Sequence, residues 1–193
     1  MSTPFAAVLL AGGRSTRMKQ DKALLHWHGQ DLWQAQLHKL QSLDAERVLL
    51  SCRRDQPLFV SPDEGVEVIH DPVGVDDGPL GAITRCLERV QMPLLVLAVD
   101  MPWMTAAFLR EHLVPVAEPV RGQFYRGPHG DEVLAGLYVP AMLPLMQAVL
   151  REKHLALQPV IEACVHSDLA TTQMLGDDQM PFFHNVNTPH DLK

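Results

Sequence analysis

Apolar positions along this chain alternate between short continuous runs and longer stretches with helical spacing. Phe5 to Leu10 is apolar on both faces, as a strand covered by helices on each side must be. Asp31 is placed to cap a helix that turns Leu32, Trp33, Leu37 and Leu40 inward and ends near Leu43. Arg47 to Cys52 reads as a second strand and Val66 to Ile69 as a third, shorter one. A turn-rich loop, Asp71 to Pro79, leads into helical spacing from Leu80 to Val90. Pro93 to Val99 then has the character of a central strand, and Thr105 caps a further helix running to about Val114.

The rhythm changes in the second half. Pro119 to Arg126 and Val133 to Tyr138 read as two strands joined across the turn-forming cluster Gly127-Pro128-His129-Gly130. A helix from Pro140 to about Lys153 follows, with Leu143, Met146, Ala148 and Leu150 facing inward, then a shorter helix near Gln158 to Cys164. Phe182 to Val186 reads as a last strand before a closing helical turn at Asp191. No repeat, low-complexity tract or linker composition interrupts this order. The pattern predicts one domain over residues 1–193: a three-layer α/β fold with a mostly parallel sheet and an antiparallel insertion in its second half.

Composition narrows the partners. With 47% hydrophobic and 20% charged residues, the chain has the make-up of a globular protein. Its net charge of −7 argues against general affinity for nucleic acid or anionic membrane, which needs a broad positive face. Cys52, Cys86 and Cys164 form no metal-binding spacing and read as reduced core thiols. The most apolar stretch, Met92 to Val99, is too short to span a bilayer, and the first residues lack a secretory pattern, so a cytoplasmic location is expected.

The chemistry concentrates where the first strand ends. Leu10-Ala11-Gly12-Gly13 empties into Arg14, Arg17, Lys19 and Lys22. Glycines let backbone N–H groups approach phosphate oxygens, and the cations offset charge that backbone dipoles alone cannot. A solvated basic turn would look similar, but this one leaves a first strand, where α/β proteins place ligands. The adjacent glycines match neither the P-loop spacing nor Gly-x-Gly-x-x-Gly. Asp100 falls where the most apolar strand stops, a position suited to Mg²⁺, which takes hard oxygen and needs few protein carboxylates beside phosphates. An Asp that merely caps the next segment would occupy the same place. Asp71, after the third strand, reads equally as a nucleotide-side acceptor or as a turn residue before Pro72, whereas Asp76 and Asp77 read as solvated turn residues.

Taken together, Leu10-Ala11-Gly12-Gly13-x-Ser15-x-Arg17-Met18, Asp21-Lys22, Asp71, Gly78-Pro79-Leu80, Asp100-Met101-Pro102 and Asn185-Val186-Asn187-Thr188-Pro189-x-Asp191-Leu192 resemble the MobA-like nucleotidyltransferases. The closest branch is the molybdenum cofactor guanylyltransferases, and the matches run in order over nearly the whole chain. The resemblance implies a Rossmann-like nucleotidyltransferase fold that joins GMP, taken from GTP, to the terminal phosphate of molybdopterin and releases pyrophosphate. It implies that Leu10, Ala11, Gly12 and Gly13 contact the nucleotide, with Lys22 on its phosphates and Asp71 on the nucleotide side; the charge of Arg14, next in the loop, adds it to the nucleotide-binding set. Asp100 would hold Mg²⁺, and the cations of the loop itself, Arg14, Arg17 and Lys22, suit stabilisation of the departing pyrophosphate. Ser51 replaces the family's nucleotide-contacting Asn, while Asn185 and Asn187 fall on the acceptor side or at the metal. GTP and molybdopterin are the implied substrates, with transient contact to molybdoenzyme maturation proteins and a monomer or weak homo-oligomer as the assembly.

Two positions depart from the family: Lys19 stands where Gly is usual, and Glu132 precedes Val133 where His-Pro or Gln-Pro is common. An unpaired Glu132 near the acceptor would repel a pterin phosphate. The rival readings are the same fold using CTP or another phosphorylated acceptor, and a sensor that binds GTP or molybdopterin without turnover. Gly12-Gly13 favours the guanine branch, since related cytidylyltransferases resemble it with Ala-Gly there. His26-x-His28 and the Cys164–His166 pair read as incidental, and the methionines at helical spacing as packing.

Overall fold

The computed structural model describes residues 3–13, 21–116 and 119–192. In chain order the strands and helices are β1 (Ala6–Leu10), β2 (His26–Trp27), β3 (Gln30–Asp31), α1 (Leu32–Gln41), β4 (Arg47–Cys52) and β5 (Val66–His70). Then follow α2 (Gly78–Val90), β6 (Leu94–Ala98), α3 (Ala106–His112), β7 (Gly122–Gly127) and β8 (Gly130–Asp131). The last are β9 (Ala135–Tyr138), α4 (Leu143–Arg151), α5 (Leu157–His166) and β10 (Ala170–Met174). The main sheet runs β10-β7-β9-β6-β1-β4-β5, with β8 paired to β7, while β2 and β3 form a separate small hairpin.

Within the main sheet β1 pairs in parallel with both β4 and β6, and β5 and β10 also join in parallel. Only β9 and the short β8 run against it. This is the mostly parallel sheet with an antiparallel insertion that the pattern predicts. The two-residue alternation of a strand splits its side chains between two cores. Ala7 and Leu9 of β1, Leu50 of β4 and Leu95 and Leu97 of β6 join α1, α3 and the C-terminal segment on one face. Ala6, Val8, Leu49, Leu94 and Val96 join α2, α4 and α5 on the other. Three layers result.

The last strand differs from expectation. Phe182 to Val186 is not a strand: Met180–Phe183 forms a short 3-10 turn, and no regular element follows it until Pro189–Leu192. Its aromatic content serves packing instead, since Phe182, tilted, and Phe183, edge-on, pack against Phe108 with ring centroids 5.1 and 5.5 Å away. The outer edge next to β7 is taken by β10, Ala-Thr-Thr-Gln-Met, of which only Ala170 is buried. A strand with one buried residue carries too little apolar alternation to be read from sequence.

The site is positioned by the order of the strands. From β1 the chain moves outward to β4 and β5, then returns through α2 to β6 on the other side of β1. Where the direction of winding reverses, the loops leaving adjacent strands diverge and open a crevice at the carboxyl ends. The loops after β1, β4, β5 and β6 all meet there.

Candidate active site

At this edge lies a cavity of about 770 Å³. Leu10, Ala11, Gly12, Gly13, Lys22, Ser51, Asp71, Asp100 and Asn187 all line it, which brings together nearly every described residue expected from the sequence. Asn185 is exposed and does not line it. Arg14 and Arg17, with Lys19, lie outside the described residues.

The glycine loop is fixed on several sides. Ala11 N–H donates to Ser51 O at 2.8 Å, and Val99 N–H to Leu10 O at 3.0 Å, carrying the strand ladders into the loop. A Cβ on Gly12 would come within 2.7 Å of Asp71 Oδ2, so the close approach of that carboxylate requires glycine. A Cβ on Gly13 would meet open space, so this residue faces the cavity without a packed neighbour.

Lys22 sits at the start of a short 3-10 turn capped by Asp21, whose carboxylate accepts from Ala23 N–H at 3.1 Å. Its Nζ donates to Asp100 Oδ2 at 2.8 Å and to Asn187 Oδ1 at 3.2 Å. The Lys22 and Asp100 side chains are 20% and 22% exposed, enough for a ligand to reach them and compete for the pair. Asn187 is held in turn by Asp191, whose carboxylate accepts from the N–H groups of Asn187 and Thr188 at 2.7 and 2.8 Å. Those donors hold the Asp191 carboxyl below its ordinary range.

The backbone on either side of Asp100 is pinned. Gln36 of α1 is buried and donates through Nε2 to Ala98 O and Val99 O at 3.4 and 3.3 Å. Lys39 donates to Gln36 Oε1 and to Pro102 O, the latter at 3.1 Å. Burial pushes the Lys39 ammonium down to about 8. Val186 N–H closes the third side onto Asp100 O at 2.7 Å. A carboxylate at the end of a fully buried strand is therefore held by helix α1 and the C-terminal segment together.

Asp71 is anchored from α2. Arg85 of α2 donates through Nη2 to Asp71 Oδ1 at 2.7 Å and through Nη1 to Asp77. Asp77 is thus an ion-paired anchor and not a solvated turn residue. It packs so closely on α2 that a Cβ at Gly81 would fall 1.9–2.3 Å from its carboxyl group. Asp71 keeps one oxygen on Arg85 and presents the other toward the glycine loop.

Other sequence candidates fall away from the cavity. Glu132 is outside its lining, half-buried beside Gly127, and burial pushes its carboxyl upward. The buried thiols of Cys52 and Cys164 are pushed up to about 11, and that of Cys86 to about 12, which keeps them protonated and unreactive. Among the described residues no three His, Cys, Asp or Glu side chains gather to hold a metal, His26 and His28 included. No helix among them is long and apolar enough to cross a membrane.

Sequence reading missed Arg53, Gln56, Arg85, Gln36 and Lys39. Arg53-Arg54, immediately after a strand whose end lines the cavity, was the one legible signal among them. The others act through contacts between distant segments, which leave no spacing.

Which oxygens could take a divalent ion follows from Lys22. Asp100 Oδ2 and Asn187 Oδ1 already converge on its positively charged nitrogen. Hard oxygen donors arranged about a cation are the set Mg²⁺ prefers, with substrate phosphates and water completing it. The residues present fit such an ion.

The chain is similar to known proteins in sequence and in fold. The MobA-like NTP transferase domain matches residues 7–168. The probable molybdenum cofactor guanylyltransferase of Opitutus terrae is 30% identical over 194 residues, covering 98% of this chain and 94% of its own length. The molybdenum cofactor guanylyltransferase of Xanthomonas euvesicatoria pv. vesicatoria is 38% identical over 117 residues, 60% of this chain and 57% of that protein. Among solved structures, molybdopterin-guanine dinucleotide biosynthesis protein A of Archaeoglobus fulgidus superposes with a TM-score of 0.73 at 18% identity, covering 97% of this chain and 94% of its own, a likeness of fold. With a glycine loop, a lysine and a strand-end aspartate meeting at the sheet's switch point, and a family match spanning most of its length, the chain belongs to the MobA-like NTP transferases and is a nucleotidyltransferase.

Proposed function

We propose that this protein transfers GMP from GTP to the terminal phosphate of molybdopterin and releases pyrophosphate. The observation that carries the reading is the convergence of Asp100 and Asn187 on Lys22 at a cavity that Gly12 and Gly13 also line. Near full-length similarity to a probable molybdenum cofactor guanylyltransferase supports the choice of substrates.

In this reading the nucleotide lies along the loop after β1, with Asp71 on its nucleoside side and Lys22 on its phosphates. The acceptor phosphate is already ionised at neutral pH, so no general base is required. Its oxygen forms a bond to the α-phosphorus while the bond from that phosphorus to the bridging oxygen of the β-phosphate breaks. Pyrophosphate leaves with the electron pair. Lys22, with the arginines of the basic segment, Arg14 and Arg17, stabilises the charge that builds on it. Asp100 and Asn187 would hold Mg²⁺, which supplies Lewis-acid stabilisation of phosphate charge when bound. The protein's own work is positioning: Gln36, Lys39 and Val186 hold Asp100, Asp191 holds Asn187, and Arg85 holds Asp71. A cytoplasmic location is part of the same proposal.

The test is to incubate the protein with Mg²⁺ and each of the four nucleoside triphosphates, with and without molybdopterin, and to measure pyrophosphate. Release with GTP only in the presence of molybdopterin is expected. Release with CTP instead assigns a cytidylyltransferase, and tight GTP binding without release assigns a sensor.

A further inference from the structure

A polar network beneath the glycine loop has no part in the chemistry above, yet it grips both ends of the basic segment. Gln56, 8% exposed, donates through Nε2 to Ala11 O at 2.8 Å and to Asp21 Oδ2 at 2.7 Å. Its Oε1 accepts from Arg53 N–H at 2.8 Å. Arg53 in turn donates through Nη1 to Gly12 O and Gly13 O, both at 2.9 Å, and through Nη2 to Asp21 Oδ2 at 3.1 Å. Residues 11–13 enter the basic segment and Asp21 leaves it, so one Arg and one Gln from the exit of β4 tie its ends together.

The grip also sets the direction of the backbone dipoles. In a trans peptide the C=O and the following N–H point to opposite sides. Pulling Ala11 O and Gly12 O toward Gln56 and Arg53 turns the N–H groups of Gly12 and Gly13 away from that grip, on residues that line the cavity. Among the described residues neither N–H has a hydrogen-bond partner. Consecutive N–H groups freed in this way form an anion-binding concavity.

We infer that Arg53 and Gln56 are positioning residues that hold the glycine loop open as a phosphate cradle. The inference rests on the proposed nucleotide site, but it assigns the role to groups that need not touch the nucleotide. Two consequences separate it from simple charge attraction. Gln56 is neutral, so its loss should weaken phosphate binding without removing a cation. The weakening should also be confined to the phosphate portion of the ligand.

The experiment compares wild type with Gln56→Leu and Arg53→Met by calorimetric titration with GTP, inorganic triphosphate and guanosine, after thermal melts establish that each variant folds. The expected result is an affinity for GTP and triphosphate lowered by about tenfold or more in both variants, with guanosine affinity within twofold of wild type. Arg53→Met, at a partly exposed side chain, keeps the test alive if Gln56→Leu does not fold. Unchanged triphosphate affinity in either folded variant overturns the inference, as does a parallel loss of guanosine. Weakening in Arg53→Met alone, beside a folded Gln56→Leu that binds normally, also overturns it and leaves Arg53 as a direct phosphate cation. A wild type that binds neither GTP nor triphosphate removes the functional reading, and this inference with it.

Discussion

Two ion pairs of nearly equal length mark opposite ends of the molecule's chemistry. Lys22 and Asp100 are joined at 2.8 Å, and Arg126 and Asp131 at 2.7 Å. The first is assembled from the loop after β1 and the end of β6, 78 positions apart, and opens on the cavity. The second closes within the β7–β8 hairpin, its carboxylate fully buried, and Gln158 of α5 seals it through hydrogen bonds to the Asp131 backbone. Distance alone does not distinguish them. The acid's access does: Asp100, 22% exposed, can exchange its partner for a ligand, whereas the Asp131 carboxylate, 0% exposed beside an arginine that is itself 44% exposed, serves the fold.

This contrast predicts opposite outcomes for removing each acid. Asp100→Ala should lower turnover by about 10² or more, through loss of charge stabilisation at the phosphates, while the melting temperature stays close to wild type. Measured turnover and melting of the same sample decide it, since an unfolded variant would make Asp100 a structural cap.

A second prediction concerns how the nucleotide-side acid is held. Arg85→Met frees Asp71 and Asp77 together, and the KM for GTP should rise by about tenfold with a smaller change in kcat. Steady-state kinetics at saturating molybdopterin give both values. Equal falls in kcat and in kcat/KM would place the Arg85 contact in the transition state instead.

Asp131→Ala should act the other way round from Asp100→Ala. Losing a buried, charge-assisted anchor should lower the melting temperature by about 5–10 °C, with turnover at moderate temperature within twofold of wild type. Calorimetry and the same pyrophosphate assay read both.

The smallest effect is a dependence on pH. Burial lowers the Lys39 pKa from 10.5 to about 8 in the folded protein. Between those values the unfolded chain binds more protons than the folded one, so stability rises with pH across this window. Below about pH 8 both states are protonated and the folded state carries the cost of the buried charge. The difference in stability between wild type and Lys39→Met should therefore move in favour of wild type from pH 8 to 10.5. Denaturant titrations at several pH values measure it, and a flat difference would mean that Lys39 is solvated.

How much of this could be read from the sequence follows the same division. Strands β1 and β6, and the cavity residues at their ends, are legible because continuous apolar runs stop abruptly at Gly12 or just before Asp100. Strand β10 is not, because an edge strand with one buried residue shows no period. Phe182 and Phe183 imitate a strand because aromatic residues suit both a sheet and a packed turn. The grips of Gln56 on Ala11 and Gln36 on Val99 join positions 45 and 63 apart, from side chain to backbone, so residue type and spacing carry no trace of them. Asp191 was visible as the start of a closing turn, but its hold on Asn187, and through it on Lys22, depends on where the C-terminal segment crosses β6.

The most direct test of the central claim uses GTP labelled at the α-phosphate in a single turnover with molybdopterin and Mg²⁺. Label should pass from GTP into a pterin-containing product with one pyrophosphate released per label transferred, and Asp100→Ala should leave the label in GTP. Pyrophosphate released at the same rate without molybdopterin, or label transferred equally well by Asp100→Ala, would contradict the account.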